Sequence, residues 1–306
     1  MRDFRTKMTY WDEWTAFSEE RIQKVKRISE GKAASNPRYE PQYVLDLAWR
    51  YLRLMLQRYS RGDAVNDLVQ HFSGFLDSWE EAERLGKDVW GEREQYFRHA
   101  WSINFHYYMD CFWLVGLALT LNISNGQWQR LLVLMGNEGE DALLDRVIAS
   151  RQLDRKIGDR LCFPGAYRGL LQVVDAPADA QPRLLRVYLE RWFTSLKNAG
   201  SPEMEPYLRT PYWYAYGDEN LEGGAYFGRW CIEAVAVAKA FGIDDSLCLD
   251  HPNYPGDLIE DNRCPRYPDP VAPPEPDMSA ITFGQGRNSS SDNWLSRLLL
   301  GPRKRR

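Results

Sequence analysis

The feature that most constrains the fold is a segment, residues 221–241, that is apolar on nearly every side when it is read as a helix. Only Glu222, Arg229, Glu233 and Lys239 bring charge into a run of small, aliphatic and aromatic residues. A helix without a polar face is buried on most of its sides. The sequence therefore predicts a core helix in this segment, enclosed by the rest of the chain.

Apolar residues also recur at helical spacing along the N-terminal half of the chain. The pattern predicts four long helices, at about residues 8–30, 38–60, 63–79 and 92–121. Short loops between them are typical of antiparallel neighbours in a helical bundle. Further helices are predicted at about residues 125–135, 139–150, 163–174 and 181–198. Because no segment shows the alternation of a strand, we predict an all-α fold.

The chain is predicted to divide into two helical domains and a tail. The polar sequence SRQLDRKIGDR separates an N-terminal helical domain, residues 1–150, from a C-terminal helical domain, residues 160–262. The predicted tail, residues 263–306, is rich in Pro, Gly and Ser and ends in the basic sequence PRKRR. Such a composition favours a flexible or extended chain over a packed helix.

Acidic residues are concentrated in residues 211–262. This segment holds ten acidic and two basic residues and carries a charge of −8, whereas the whole chain carries −4. The rest of the chain therefore carries +4. An acidic segment repels nucleic-acid phosphates and attracts a basic partner. We therefore expect a basic protein partner and no direct contact with nucleic acid.

The sequence lacks the signals of export, membrane insertion and cofactor binding. The N-terminus has no apolar signal-peptide region, and no uncharged apolar run reaches the ~18 residues that a membrane span needs. Five cysteines without a CxxC pair fit a reducing cytoplasm better than a disulfide framework or a zinc finger. No P-loop, strand-linked GxGxxG or HExxH motif occurs. We expect a cytoplasmic protein that uses no cofactor, no metal and no membrane.

Asp218, Glu219 and Glu222 lie at the start of the predicted core helix. Clustered carboxylates can serve general acid–base catalysis or bind a hard cation. At a helix start they also cap the helix and complement the positive end of its dipole. Contact with Lys and Arg residues of a partner is a third interpretation, and it is compatible with capping.

His99, His106 and Asp110 fall close to one face of a predicted helix, at positions i, i+7 and i+11. Two histidines and a carboxylate could belong to a metal site. The same face carries aromatic residues, which favours a partly buried pair of histidines with structural partners. A hydrolase that uses either these three residues or the Asp218 and Glu222 carboxylates is an alternative function.

Two further groups flank the predicted core helix. The group before it is aromatic and can plug the core or anchor an interface: Tyr212, Trp213, Tyr214 and Tyr216. The group after it is acidic and fits either a solvated face or a surface that steers a basic partner: Asp244, Asp245, Asp250 and Asp257.

Residues 212–260 also carry a distinctive pattern. It consists of a short aromatic run, Tyr-Phe-Gly-x-Trp, an Ala-rich helix, Gly-Ile-Asp-Asp and His-Pro-x-Tyr-Pro-x-Asp-Leu. Residues 2–22 follow the pattern RDxxxxxxYWxxWxxFxxERI. Both blocks resemble the PoNi-like immunity proteins, the cognate antitoxins of polymorphic nuclease effectors that are delivered between bacteria. The resemblance covers roughly residues 1–262 and leaves the tail outside.

The resemblance implies an α-helical, two-part, non-catalytic cytoplasmic protein that binds and blocks a toxin, typically a DNase, in competition by type VI secretion. An acidic partner can occupy the basic surface that a nuclease needs for phosphates. We expect the toxin contacts to come from Asp218, Glu219, Glu222, Asp244, Asp245, Asp250 and Asp257, with Tyr212, Trp213, Tyr214 and Tyr216 as apolar anchors. A homodimer is conceivable, and an acidic DNA-mimic regulator unrelated to toxins is a further alternative.

Overall fold

The computed structural model describes residues 1–31, 38–218 and 221–269, with the backbone alone at residues 28–31 and 222. This part of the chain contains eleven α-helices and no strand, so the all-α prediction is confirmed. The helices are α1 (Met8–Gly31), α2 (Glu40–Arg61), α3 (Val65–Leu68), α4 (Gln70–Gly86), α5 (Glu92–His99), α6 (Phe105–Thr120), α7 (Asn125–Met135), α8 (Leu144–Ala149), α9 (Pro164–Asp175), α10 (Gln181–Ser195) and α11 (Ile232–Phe241). None of them combines the length and apolar content that a membrane crossing requires.

Helix α2 organises the N-terminal bundle, because it packs against both α1 and α4. The apolar stripe of α2 accounts for its packing between these two helices. Gly62 ends α2 in the left-handed conformation, with φ 110°. Helix α6 continues the bundle towards the C-terminal half. Every residue of α6 except His106 and Asp110 is buried, so these two side chains are the ones that α6 offers to its surroundings.

Helix α11 packs on α6 and joins the two halves of the chain. The approach is close at Gly116, where a Cβ atom would lie 2.7 Å from Cγ2 of Ile232. Buried apolar side chains from Ile22 to Leu258 form one continuous core. The predicted N-terminal bundle thus packs on the C-terminal helices. The division of the chain at residues 150–160 stays a prediction, and residues 270–306 of the predicted tail lie outside the described part.

The predicted core helix over residues 221–241 is shorter than expected, because it begins only at Ile232. Glycines interrupt the helical backbone before that point: Gly223, Gly224 and Gly228 have φ values of 80°, 68° and 103°. Residues with a Cβ rarely adopt such angles. The predicted helix over residues 92–121 is likewise divided into α5 and α6. Asn104 caps α6 by accepting a hydrogen bond from the Tyr107 backbone N–H at 3.1 Å.

Glu233 of α11 is a carboxylic acid in the middle of this core. It is completely buried, and its Oε1 accepts a hydrogen bond from the Tyr167 hydroxyl at 3.1 Å. Its Oε2 has no hydrogen-bond partner among the described residues. Burial raises the pKa of Glu233 to about 7, because a charged carboxylate is poorly solvated there.

We expect the Glu233→Gln variant to remove part of the pH dependence of stability. The folded protein holds the Glu233 proton more tightly than the unfolded chain does, so its contribution is complete at low pH and is lost as the pH rises towards about 7. Urea unfolding should show nearly equal stability of both proteins at about pH 4, below the unfolded pKa of Glu, and an advantage of about 3 kcal/mol for the variant at about pH 8. If the unmodified protein and the Glu233→Gln variant were equally stable at both pH values, the raised pKa of Glu233 would be contradicted. The exposed Glu190→Gln is the control.

Candidate functional site

Tyr212 is the exposed member of the aromatic cluster and lies between a cleft and the outer surface. Its side chain is 41% exposed. The Arg53 guanidinium lies 5.4 Å from the centre of its ring, and the His106 ring lies 5.9 Å from it. Burial raises the pKa of Tyr212 to about 12, so its hydroxyl stays protonated at neutral pH. An exposed tyrosine fixed by a cation is a suitable interface anchor.

The other aromatic residues of the cluster differ in burial. Trp213 is buried, and its ring centre lies 5.4 Å from that of Trp113 on α6. Tyr214 is partly exposed and stacks on Phe193 of α10, with ring centres 4.4 Å apart and planes 2° apart. Tyr216 is also partly buried. The cluster therefore plugs the core through Trp213 and reaches the surface through its tyrosines.

Asp218 lies next to this stack as a fixed surface charge. It forms an ion pair with Arg229, whose guanidinium lies 4.4 Å from the centre of the Phe193 ring and donates a hydrogen bond to the Tyr216 carbonyl. The Asp218 side chain nevertheless remains 61% exposed. Because α11 begins only at Ile232, Asp218 does not cap the core helix. Its carboxylate is held in place and stays open to a partner.

A second group of exposed carboxylates lies at the other end of α10. Arg186 forms ion pairs with Glu190 at 3.0 Å and with Asp250, whose side chains are 52% and 77% exposed. Leu247 is half-exposed beside them, and its carbonyl accepts a hydrogen bond from Arg186. Arg186, Glu190 and Phe193 are spaced i, i+4 and i+7. They therefore lie along one face of α10 over about 10 Å.

These two groups form one surface, which we call the α10 surface. Its members are Tyr212, Tyr214, Phe193, Asp218, Glu190 and Asp250. The rings supply apolar contact area, and the carboxylates supply negative charge around it. Asp244, which is exposed, precedes the short 3₁₀ helix Ser246–Cys248 that packs on α10. The structure thus brings four of the expected contact residues (Tyr212, Tyr214, Asp218 and Asp250) to the α10 surface, with Asp244 near it.

Two of the acidic residues expected at the surface are buried. Asp257 is completely buried and pairs with Arg2 at 2.6 Å and with Arg266. Asp245 is 3% exposed and pairs with Arg263. Both carboxylates join distant parts of the chain, so they are not available to a partner while the fold is intact.

Ion pairs within the protein compensate much of the negative charge of residues 211–262. Five of its carboxylates form ion pairs with arginines of the chain: Asp218, Asp245, Asp250, Asp257 and Asp261. Among its described exposed carboxylates, only Asp244 and Glu260 form no ion pair. Glu219 lies outside the described residues, and the Glu222 side chain is not described. The positive charge of the rest of the chain therefore neutralises much of this segment.

The cleft beside Tyr212 brings together the residues of the hydrolase hypothesis. It encloses about 300 Å³ and is lined by His99, His106 and Asp110. His99 lies 3.3 Å from Glu83, and His106 Nε2 lies 3.1 Å from the Thr210 carbonyl oxygen. The Asp110 carboxylate accepts no hydrogen bond from any described residue, and burial raises its pKa to about 7. Within residues 1–31, 38–218 and 221–269, no group of three potential ligands could hold a metal ion.

The residues that carry the family resemblance meet at one junction. Arg2 pairs with Asp257. The Tyr226 hydroxyl donates a hydrogen bond to Asp3 at 2.5 Å, and the Tyr10 hydroxyl donates one to the Tyr226 carbonyl at 3.0 Å. All of these side chains except Tyr10 are buried. The resemblance therefore rests largely on residues that hold the N-terminal segment to the C-terminal part.

Comparisons with known proteins agree with these features. The family model described as PoNe immunity protein (PoNi), N-terminal, matches residues 2–133, and the model described as PoNe immunity proteins (PoNi), C-terminal, matches residues 139–258. The crystal structure of protein PA2201 from Pseudomonas aeruginosa is similar, with a TM-score of 0.59 and 20% identity. That match covers 82% of this chain and 88% of the other, and at this identity it shows the fold alone. No curated protein matches the chain.

Proposed function

The chain belongs to the PoNe immunity protein (PoNi) family, and we propose that it binds and neutralises a cognate antibacterial DNase in the cytoplasm. Membership in this family makes the chain an immunity protein against a nuclease effector. The α10 surface is the region that we propose for the contact. The observation that carries this proposal is that exposed aromatic rings and fixed, exposed carboxylates lie together on one face.

The rings of the α10 surface suit a protein partner. Tyrosine supplies a large, rigid contact area at a low cost in conformational entropy, which is why it is common among residues that dominate binding energy. Tyr212 is fixed by Arg53, and Tyr214 is fixed by its stack on Phe193. Little conformational freedom is therefore lost when a partner covers these two rings.

The carboxylates of the α10 surface suit a basic partner. A nuclease presents positive charge to the phosphates of its substrate, and carboxylates of an inhibitor can occupy that surface. Asp218, Glu190 and Asp250 are exposed and are held in place by Arg229 and Arg186. Glu219 and Glu222 stay candidates for the same contact. Asp245 and Asp257 support the fold in this proposal.

The hydrolase hypothesis has less support. Both histidines of the cleft have partners within the chain, since His99 pairs with Glu83 and His106 bonds to the Thr210 carbonyl. Asp218 is engaged by Arg229. Asp110 lines the cleft and is not a member of the α10 surface, so full protection by the Asp110→Asn variant is expected if the protein acts by binding alone.

Co-expression with the cognate nuclease tests the proposal. We expect this chain to restore the growth of cells that produce this nuclease, and to be recovered with it in a pull-down. The catalytically inactive nuclease serves as the control for toxicity. Growth arrest in the presence of the folded immunity protein, together with no recovery in the pull-down, would overturn the proposed function.

A further inference from the structure

Three arginines lie close together on the α1–α2 face of the bundle, beside Tyr212. Arg50 and Arg53 are one turn apart on α2. Arg21 lies one turn from Ser18 on α1, and the Ser18 hydroxyl donates a hydrogen bond to Gln57, which lies one turn from Arg53. Arg21 and Arg53 are exposed, and Arg50 is half-buried. Burial and then the neighbouring Arg21 and Arg53 lower the pKa of Arg50. Helix packing therefore concentrates like charge at this place, which we call the arginine patch.

The arginine patch is not neutralised within the described chain. None of its three guanidinium groups forms an ion pair with a described carboxylate, whereas fourteen other arginines do. Asp46 interacts electrostatically with Arg50, and Asp110 lines a small cavity together with Arg53 and Tyr212. Asp46 accepts a hydrogen bond from Gln42, and Asp110 lies in the cleft. Like charges held together cost free energy in the free protein, and an anionic partner would remove that cost.

The arginine patch is continuous with the α10 surface. The Arg53 guanidinium lies 5.4 Å from the centre of the Tyr212 ring, and the Tyr212 and Tyr216 ring centres are 6.1 Å apart. Arg229 then links the Tyr216 carbonyl to Asp218. One surface therefore carries positive charge at one end, aromatic rings in the middle and negative charge at the other end.

A nuclease that uses metal ions has a complementary distribution of charge. Its carboxylates hold divalent cations next to the scissile phosphate, and its basic residues bind the flanking phosphates. Guanidinium groups form strong bidentate pairs with carboxylates. Mg²⁺ is usually held by only one or two protein carboxylates. An arginine patch can therefore take the place of the metal ion.

We propose that Arg21, Arg50 and Arg53 dock against the metal-binding carboxylates of the nuclease while the α10 surface covers its phosphate-binding residues. This inference rests on the proposed function and adds the mode of inhibition to it. The nuclease would be blocked at its catalytic centre, because the arginines and the metal ions need the same carboxylates.

The probe for this proposal is the nuclease domain of the cognate toxin, and its affinity for this chain is measured by calorimetry. We expect the Arg21→Glu/Arg53→Glu double variant to bind roughly tenfold more weakly or worse. The matched control Lys87→Glu/Arg168→Glu changes the charge equally at exposed positions away from the patch and should bind like the unmodified chain. Circular dichroism checks that all variants are folded. Equal affinities of the two double variants would overturn the inference and leave the proposed function intact.

Metal competition supplies the second readout. At matched ionic strength, EDTA should strengthen binding of the unmodified chain relative to Mg²⁺ and should leave the Arg21→Glu/Arg53→Glu variant unaffected. No difference between EDTA and Mg²⁺ would contradict docking at the metal site. If the unmodified chain binds a short DNA duplex and the Arg21→Glu/Arg53→Glu variant does not, nucleic acid is the ligand of the arginine patch. That result would overturn the inference. Absence of nuclease binding by the unmodified chain would overturn the proposed function itself.

Discussion

Replacing Asp257 with asparagine is expected to lower the free energy of unfolding by about 3 kcal/mol, the low end for breaking a buried ion pair, because buried Arg2 keeps only the partly exposed Asp261 as a counter-charge. Arg2 is 2% exposed, and its Nε atom lies 2.6 Å from the Asp257 carboxylate. Its remaining N–H groups donate to the carbonyls of Tyr59 and Asp63 and to Asp261. These hydrogen bonds hold the Arg2 side chain in the interior. The guanidinium therefore cannot move into solvent when the Asp257 carboxylate is removed.

A surface ion pair provides the matched control. Asp250 pairs with Arg186, but its side chain is 77% exposed, and Asp250→Asn should cost less than about 1 kcal/mol. Urea unfolding of both variants at neutral pH makes the comparison. Similar small losses for Asp257→Asn and Asp250→Asn would show that the junction between the N-terminal segment and the C-terminal part contributes little to stability.

The Asp257 pair also predicts a dependence on acid. Burial is the largest single influence and opposes ionisation of Asp257, but the hydrogen bonds from Arg2, the Cys264 N–H and Arg266, together with the charge of Arg2, outweigh it and hold the pKa of this carboxyl below its usual value. A carboxyl with a lowered pKa stabilises the folded state at neutral pH, and this contribution is lost as the pH falls through the folded pKa. The unmodified protein should therefore lose its advantage over Asp257→Asn in acid.

Reversing charge on the α10 surface is expected to weaken nuclease binding by roughly tenfold to a hundredfold. The variant Glu190→Lys/Asp250→Lys places two cations beside Arg186, where the free protein has ion pairs. Both side chains are more than half exposed, so the fold should tolerate the change. The loss follows because a basic partner would then meet like charge.

Asp88→Lys/Asp159→Lys is the control for this prediction, since both residues are exposed and lie outside the α10 surface. Association rates at increasing salt should fall steeply for the unmodified chain and for this control, and should change little for Glu190→Lys/Asp250→Lys. The same steep dependence in all three proteins would exclude the α10 surface as the source of the attraction.

Much of the fold follows from the sequence, because helical periodicity is a local property. Helices α1 and α2 begin and end near the predicted residues, whereas the predicted helices over residues 63–79 and 92–121 are each divided in two. The late start of the core helix, at Ile232, does not follow from apolar composition alone. Gly223, Gly224 and Gly228 carry the contrary signal, and their positive φ values place the chain outside the helical region.

The roles of charged residues were harder to predict, because pairing depends on distant parts of the chain. Arg2 lies 255 positions from Asp257, and nothing in the local sequence of either residue predicts that they meet. The arginine patch was missed for the same reason. In the sequence, Arg21 is one charged residue on the solvent-exposed face of a helix. Only the packing of α1 on α2 places Arg50 and Arg53 near it. Tyr212 was expected among the candidate anchors from the sequence, the structure adds that it is exposed, and its role as an anchor stays a prediction.

Titration of the cognate nuclease with this protein is the measurement that tests neutralisation most directly. DNA cleavage is followed at a fixed nuclease concentration well above the dissociation constant while the immunity protein is added. We predict that activity falls linearly to zero at an equivalence point set by a stoichiometric complex, and that the α10 and arginine-patch variants require a large excess. Undiminished cleavage in the presence of excess folded protein would contradict the account.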